Sequence, residues 1–106
     1  MSTSHIRVPA QAKPGEIIEV KTLISHPMET GLRKQGDGTP IPRKIINRLE
    51  CRYLGNTVFV AELHPSVSAN PYISFFVRAS RSGKLEVAWM DDDGSVLRAE
   101  ADLVVE

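Results

Sequence analysis

SHPMETGLRKQGDGTPIPRKIINRLECRY, residues 25–53, joins two different kinds of sequence. From Lys44 onward it alternates. Ile45, Asn47, Leu49, Cys51 and Tyr53 fall on one side, and Arg48, Glu50 and Arg52 on the other. A period of two with one apolar side predicts a strand half buried on a core, over Lys44 to Leu54. The preceding part, His26 to Arg43, is an 18-residue polar stretch without a period. Structureless loops beyond about 12–15 residues are uncommon inside compact domains and usually carry function or disorder. The chain is therefore expected to be a β framework bearing one long loop that matters.

The rest of the sequence extends the framework. Ile6 to Ala10 contains Pro9, which cannot donate to a ladder, so an edge strand is expected there. Lys13-Pro14-Gly15 turns the chain into Glu16 to Ser25, with Ile18, Val20, Thr22 and Ile24 on one face. Gly55-Asn56 is a two-residue hairpin turn, and Thr57 to His64 returns from it with Phe59, Ala61 and Leu63 in phase. Tyr72 to Ala79 is nearly continuously apolar and is expected to be a central strand covered on both faces. Leu85, Val87 and Trp89 alternate with Glu86, Ala88 and Met90. Asp91-Asp92-Asp93-Gly94 is a turn, and Val96 to Val105 closes the chain with Leu97, Ala99, Ala101, Leu103 and Val105 inward. No segment holds a 3.6-residue period. Seven short strands in 106 residues predict an all-β, immunoglobulin-like β-sandwich forming a single domain over residues 1–106.

Composition narrows the function classes. Thirteen basic and thirteen acidic residues give zero net charge. A nucleic-acid partner is not expected, because such binders show a basic patch or a high pI. No apolar run approaches the ~20 residues of a membrane span, and no membrane partner is expected. The N-terminal MSTSHIRVPAQAKPG lacks the charged and apolar regions of a secretory signal. Residues alone thus suggest the cytoplasm, unless the folded chain crosses a membrane bound to a partner that carries the signal. Cys51 is the only cysteine, which excludes an intrachain disulfide and a cysteine-rich metal site within one chain.

The search for chemistry finds little. His26 and His64 each precede a proline at a strand end, and the plain reading is local hydrogen bonding there. The sharper reading gathers His26, Met28 and His64, with Cys51 or Met90, around copper, since imidazole and soft sulfur suit that metal. No ligand spacing supports it. Cys51 could serve as a redox thiol, but it lies in phase with Leu49 and Tyr53, and free cysteines are commonly buried. No catalytic residue, cofactor or metal is expected. Candidates for partner contact are His26, Met28, Glu29, Leu32, Arg33, Ile41 and Arg43, because loops on rigid sandwiches commonly carry recognition.

His26-Pro27-Met28-Glu29-Thr30-Gly31, Ile41-Pro42-Arg43-Lys44, the Asn47 to Tyr53 strand, Ala61-Glu62-Leu63-His64-Pro65 and Asn70-Pro71-Tyr72 together resemble the Z subunit family of sulfur-oxidation carriers, SoxZ. The resemblance covers essentially the whole chain. It implies a non-catalytic sandwich that pairs with a Y subunit. The C-terminal tail of that subunit, around a Gly-Gly-Cys-Gly-Gly motif, carries sulfur intermediates among the enzymes of thiosulfate oxidation. It also implies a periplasmic address, reached by co-export with a Y subunit bearing the signal. The present chain ends Ala101-Asp102-Leu103-Val104-Val105-Glu106, without a glycine-rich tail, so the carrier thiol would belong to the partner. A small periplasmic copper or Cys51-based redox domain is the alternative.

Overall fold

The computed structural model describes residues 4–26, 28, 31–32, 34–64 and 70–106. Seven strands follow in chain order: β1 (Ser4–Arg7), β2 (Ile17–Ile24), β3 (Ile46–Tyr53), β4 (Asn56–Glu62), β5 (Tyr72–Arg78), β6 (Gly83–Asp91) and β7 (Val96–Leu103). They form two antiparallel sheets, one of order β1-β2-β5 and one of order β4-β3-β6-β7. The fold is the expected all-β sandwich.

Alternation explains which side chains meet between the sheets. Ile18, Val20, Thr22 and Ile24 of β2 are buried, as are Leu49, Cys51 and Tyr53 of β3 and Leu85, Val87 and Trp89 of β6. Thr22 is polar but satisfied, its hydroxyl donating to the Ile73 carbonyl at 2.6 Å. β7 contributes Leu103 fully and Leu97, Ala99 and Ala101 partly, matching its expected phase.

Three local details differ from the sequence reading, each for a physical reason. The β3–β4 turn is Leu54-Gly55, one residue earlier than expected, with φ of 54° and 80° at those two positions. Two-residue hairpin turns with positive φ at both centres match strand twist, and glycine takes that conformation at no steric cost. Leu54 is held there by packing over Gly83, where an added Cβ would stand only 2.1 Å from Leu54 Cδ2. In β3 the pairing with β6 shifts between Ile46 and Arg48. Phase therefore changes, Ile45 and Ile46 are both buried, and Asn47 is only partly so.

The third difference concerns β5, which is not central. Among the described residues it pairs only with β2 and stands at a sheet edge. Phe75 and Val77 point inward, while Tyr72 and Phe76 are 59% and 67% exposed. A continuous apolar run does not by itself say how many faces are covered. β1 is an edge strand as expected, although it ends at Arg7, before Pro9.

Trp89 is 1% exposed at the centre of the four-stranded sheet, opposite Leu49. Trp89→Ala is expected to cost about 3–5 kcal/mol in denaturant melts, through lost transfer energy and the cavity left behind. A cost below about 1 kcal/mol would be inconsistent with this packing.

Candidate functional site

The ends of the long loop converge on the β6–β7 turn. His26, two residues past β2, is 4% exposed, and its Nε2 lies 2.7 Å from Oδ2 of Asp91, itself 6% exposed. The backbone N–H of Met28 donates to the other ring nitrogen, Nδ1, at 2.9 Å. Nδ1 is thus an acceptor without a proton, and Nε2 carries the hydrogen donated to Asp91. Both ring nitrogens are committed.

Met28 closes the network from the other side. It sits at φ 52°, a left-handed conformation that is costly for a non-glycine residue and persists only where the surroundings impose it. Here its N–H is held by His26, and its Sδ accepts from the Ile46 N–H at 3.2 Å. Asn70 pins the same corner. Its Oδ1 accepts from the His26 N–H at 2.9 Å, and its N–H donates to the His26 carbonyl at 2.8 Å.

Asp92 and Asp93 hold the far end of the loop. Arg43 makes a two-pronged pair with Asp92, Nε to Oδ2 at 2.8 Å and Nη2 to Oδ1 at 3.0 Å. Oδ1 also accepts from Asn47 Nδ2 at 2.9 Å, and the Asp92 N–H donates to the Ile45 carbonyl at 3.0 Å. Lys44 Nζ lies 3.2 Å from Asp93 Oδ2. The Arg43 hydrogen bond is the main cause that lowers the Asp92 carboxyl to about 2; bonds from Ser95 and then Lys44 bring Asp93 to about 2. Three successive carboxyls are therefore divided among three loop-end partners, His26, Arg43 and Lys44.

Between these anchors the loop is not structureless. Lys34 and Pro40 bridge across a small turn, with Gln35 N–H donating to Thr39 O at 2.8 Å and Thr39 N–H donating to Asp37 Oδ1 at 2.9 Å. Among the contact candidates, His26 and Met28 are turned into the protein and offer almost no side-chain surface. Leu32 is 85% exposed, Ile41 is half-buried, and Arg43 is exposed but engaged with Asp92. Glu29 and Arg33 lie outside the described residues.

The arrangement braces the loop and does not assemble a reactive centre. The proposed copper donors are not free to ligate, because both His26 nitrogens and the Met28 sulfur already hold hydrogen bonds, and His64 is exposed at the strand end after β4. Among the described residues no group of three or more His, Cys, Asp or Glu side chains could hold a metal. Cys51 is fully buried, and burial pushes its thiol up to about 11. A thiolate nucleophile needs exposure and nearby positive charge, whereas Arg52 projects from the opposite face of β3. Sequence reasoning took Asp91-Asp92-Asp93 only as a turn. The signal for more was present, since adjacent carboxyls repel one another and call for cations, and the loop ends carry His26, Arg43 and Lys44.

His26→Leu removes the partner of Asp91 Oδ2, leaving that carboxylate only the Asp93 N–H on Oδ1, and leaves the Met28 N–H buried without its acceptor; it is expected to cost about 3–5 kcal/mol in urea melts. Asp91→Asn keeps an oxygen for the Nε2–H and is expected to cost about 1–2 kcal/mol. Acid titration reads the other end of the clamp. Folded Asp92 titrates near 2 against ~3.9 when unfolded, so its stabilisation is complete above pH ~4 and is lost as pH falls toward 2. Asp92→Asn should therefore lose less thermal stability than wild type over that interval; equal slopes would contradict the Arg43–Asp92 assignment.

Comparison with known proteins now adds to the geometry. The family model of the sulphur oxidation protein SoxZ matches residues 6–102. No curated protein matches the chain. Among solved structures, superoxide reductase (neelaredoxin) from Ignicoccus hospitalis superposes with a TM-score of 0.76 at 19% identity, over 98% of this chain and 80% of that one. A putative superoxide reductase from Thermotoga maritima gives 0.74 at 16%, over 97% and 85%. The sulfur carrier protein SoxY from Chlorobium limicola f thiosulfatophilum gives 0.67 at 18%, over 97% and 78%. At such identities these likenesses concern the fold alone. The family match spans nearly the whole sandwich, from β1 through all but the last residue of β7, and on that ground the chain belongs to the SoxZ family of sulphur oxidation proteins.

Proposed function

We propose that the chain is the non-catalytic subunit of a two-chain sulfur carrier. It pairs with a SoxY-like subunit whose C-terminal cysteine bears sulfur intermediates, and it helps present that arm to the enzymes of thiosulfate oxidation. The carrying observation is membership of the SoxZ family over residues 6–102. The interior supports it, because the one thiol is buried with its pKa pushed up to about 11, and the buried imidazole has both nitrogens engaged. A protein built this way contributes surface, not reactive groups.

Division of labour within the carrier follows from the same features. The braced loop, with Leu32, Ile41 and Arg43 at its surface and Glu29 and Arg33 beside them in sequence, is the region offered to visiting enzymes. Its anchorage at both ends lowers the entropy lost on docking, since preorganised loops lose less freedom when bound. The periplasm is the proposed compartment, reached folded in company with the Y subunit. Nucleic acid and membrane have no part in this reading.

The test is co-purification. Co-expressed with a SoxY-like subunit, the chain is expected to elute as a heteromeric complex at micromolar concentrations. Stable interfaces bury about 1,200–2,000 Å² and hold at that dilution. Elution of two separate monomers would overturn the proposal, as would thiosulfate turnover by the purified chain alone.

A further inference from the structure

Both ring nitrogens of His26 are in use, and the direction of each bond is fixed. Nε2 carries the hydrogen that goes to Asp91 Oδ2 at 2.7 Å, and Nδ1 accepts from the Met28 N–H at 2.9 Å. The ring in this arrangement has one donor and one acceptor nitrogen. Histidine is the side chain that ordinarily changes its charge between about pH 5 and 8. A second proton has only one place to go, Nδ1. There it would set N–H against N–H, because the Met28 amide offers a hydrogen and no lone pair.

We propose that His26 is a proton-sensitive latch on the long loop: protonation at Nδ1 expels the Met28 N–H and frees the loop's entry while the sandwich stays folded. Met28 is set to leave. It sits at φ 52°, a conformation costly for a non-glycine residue. Two hydrogen bonds hold it there, its N–H to His26 and its Sδ from the Ile46 N–H at 3.2 Å. Loss of the first lets the backbone relax out of the left-handed region, and that rotation carries the sulfur away from Ile46.

Met28 can move alone because the base of the latch is pinned separately. Asn70 holds the His26 backbone on both sides, its Oδ1 accepting from the His26 N–H at 2.9 Å and its N–H donating to the His26 carbonyl at 2.8 Å. Neither bond uses the ring. The bond from Nε2–H to Asp91 survives protonation and becomes charge-assisted on both sides, which strengthens it. Asp91 is fixed in turn by its own N–H on the Ser95 carbonyl at 2.9 Å and by the Asp93 N–H on Oδ1 at 3.2 Å. The ring stays while Met28 goes.

The charges around the ring permit this. Asp91, at the end of β6, faces it directly and compensates an imidazolium. The next two carboxylates of the turn are taken by the cations of the loop exit, Asp92 by Arg43 and Asp93 by Lys44. Asn70, ahead of β5, and Ile46, at the start of β3, bring no charge. The turn also keeps the exit closed. Asp92 and Asp93 are lowered to about 2, so they hold Arg43 and Lys44 throughout the range in which histidines ordinarily titrate. Acid therefore opens one end of the loop and leaves the other anchored. On the two-chain carrier reading above, the surface offered to visiting enzymes is then braced near neutrality and slack in acid; the coupling itself belongs to the free chain.

The experiment titrates the purified, isotope-labelled chain from pH ~8 to ~4.5 by NMR. It follows the His26 ring and the exchange of backbone amides, corrected for the intrinsic pH dependence of exchange. The Met28 amide is expected to lose protection about tenfold or more, at the midpoint where the His26 ring gains its proton. The Ile46 amide should shift with that same midpoint, while the amides of Asn70 and Trp89 keep their protection. The exposed His5 and His64 should titrate without moving Met28. Asp91→Asn removes the compensating charge, so the ring and Met28 midpoints should fall together, by about one pH unit, a tenfold weaker proton affinity. A ring that gains its proton while Met28 stays protected would overturn the proposal. So would a ring that stays neutral over the whole range, or until the fold itself is lost. Midpoints that separate in Asp91→Asn would overturn it too. None of these results bears on whether the chain pairs with a SoxY-like subunit, which co-purification reads independently.

Discussion

The hydrogen bond from His26 to Asp91 joins the two sheets of the sandwich inside the protein. His26 continues from β2 in the three-stranded sheet, and Asp91 ends β6 in the four-stranded one. Buried polar groups are costly unless paired, so this contact is satisfied only when the two sheets are placed correctly relative to each other. The same imidazole then sets the start of the long loop, because its second nitrogen captures the Met28 N–H and helps hold that residue at positive φ. Met28 in turn receives the Ile46 N–H on its sulfur, linking the loop's beginning to the strand that follows it. One bond thus governs sheet alignment, loop entry and the start of β3.

The loop's exit is governed from the same turn. Asp92 binds the Arg43 guanidinium and the Asn47 amide, and Asp93 reaches Lys44. Two kinds of anchor are combined here. The His26 end is buried and screened little by salt, whereas the Arg43 and Lys44 ends are exposed ion pairs that screening weakens. The loop is thus fixed at its roots, while residues 34–40 stand in solvent.

Cys51 and His26 are turned inward and used for packing or bracing, while aromatic rings stand exposed on β5. The fold is shared with superoxide reductases and with SoxY, in keeping with a sandwich being a support onto which unrelated sites are placed.

What the sequence by itself determined was the local order. The period-two patterns of β2, β6 and β7, and of β3 from Leu49 onward, named the inward residues correctly, because alternation depends only on backbone geometry and on which side faces water. Motif order along the chain was enough to indicate the SoxZ family. Tertiary structure decided what depended on neighbours distant in sequence. β5 became an edge strand because the chain supplies no strand to lie beside it among the described residues, which an apolar run cannot reveal. The phase change at Asn47 arose from pairing with β6, and the three aspartates acquired their partners only when the turn reached loop ends 45 to 65 residues away. Periodicity records how a residue sits on its own strand; it holds no information about which strand, or which protein, comes to lie against it.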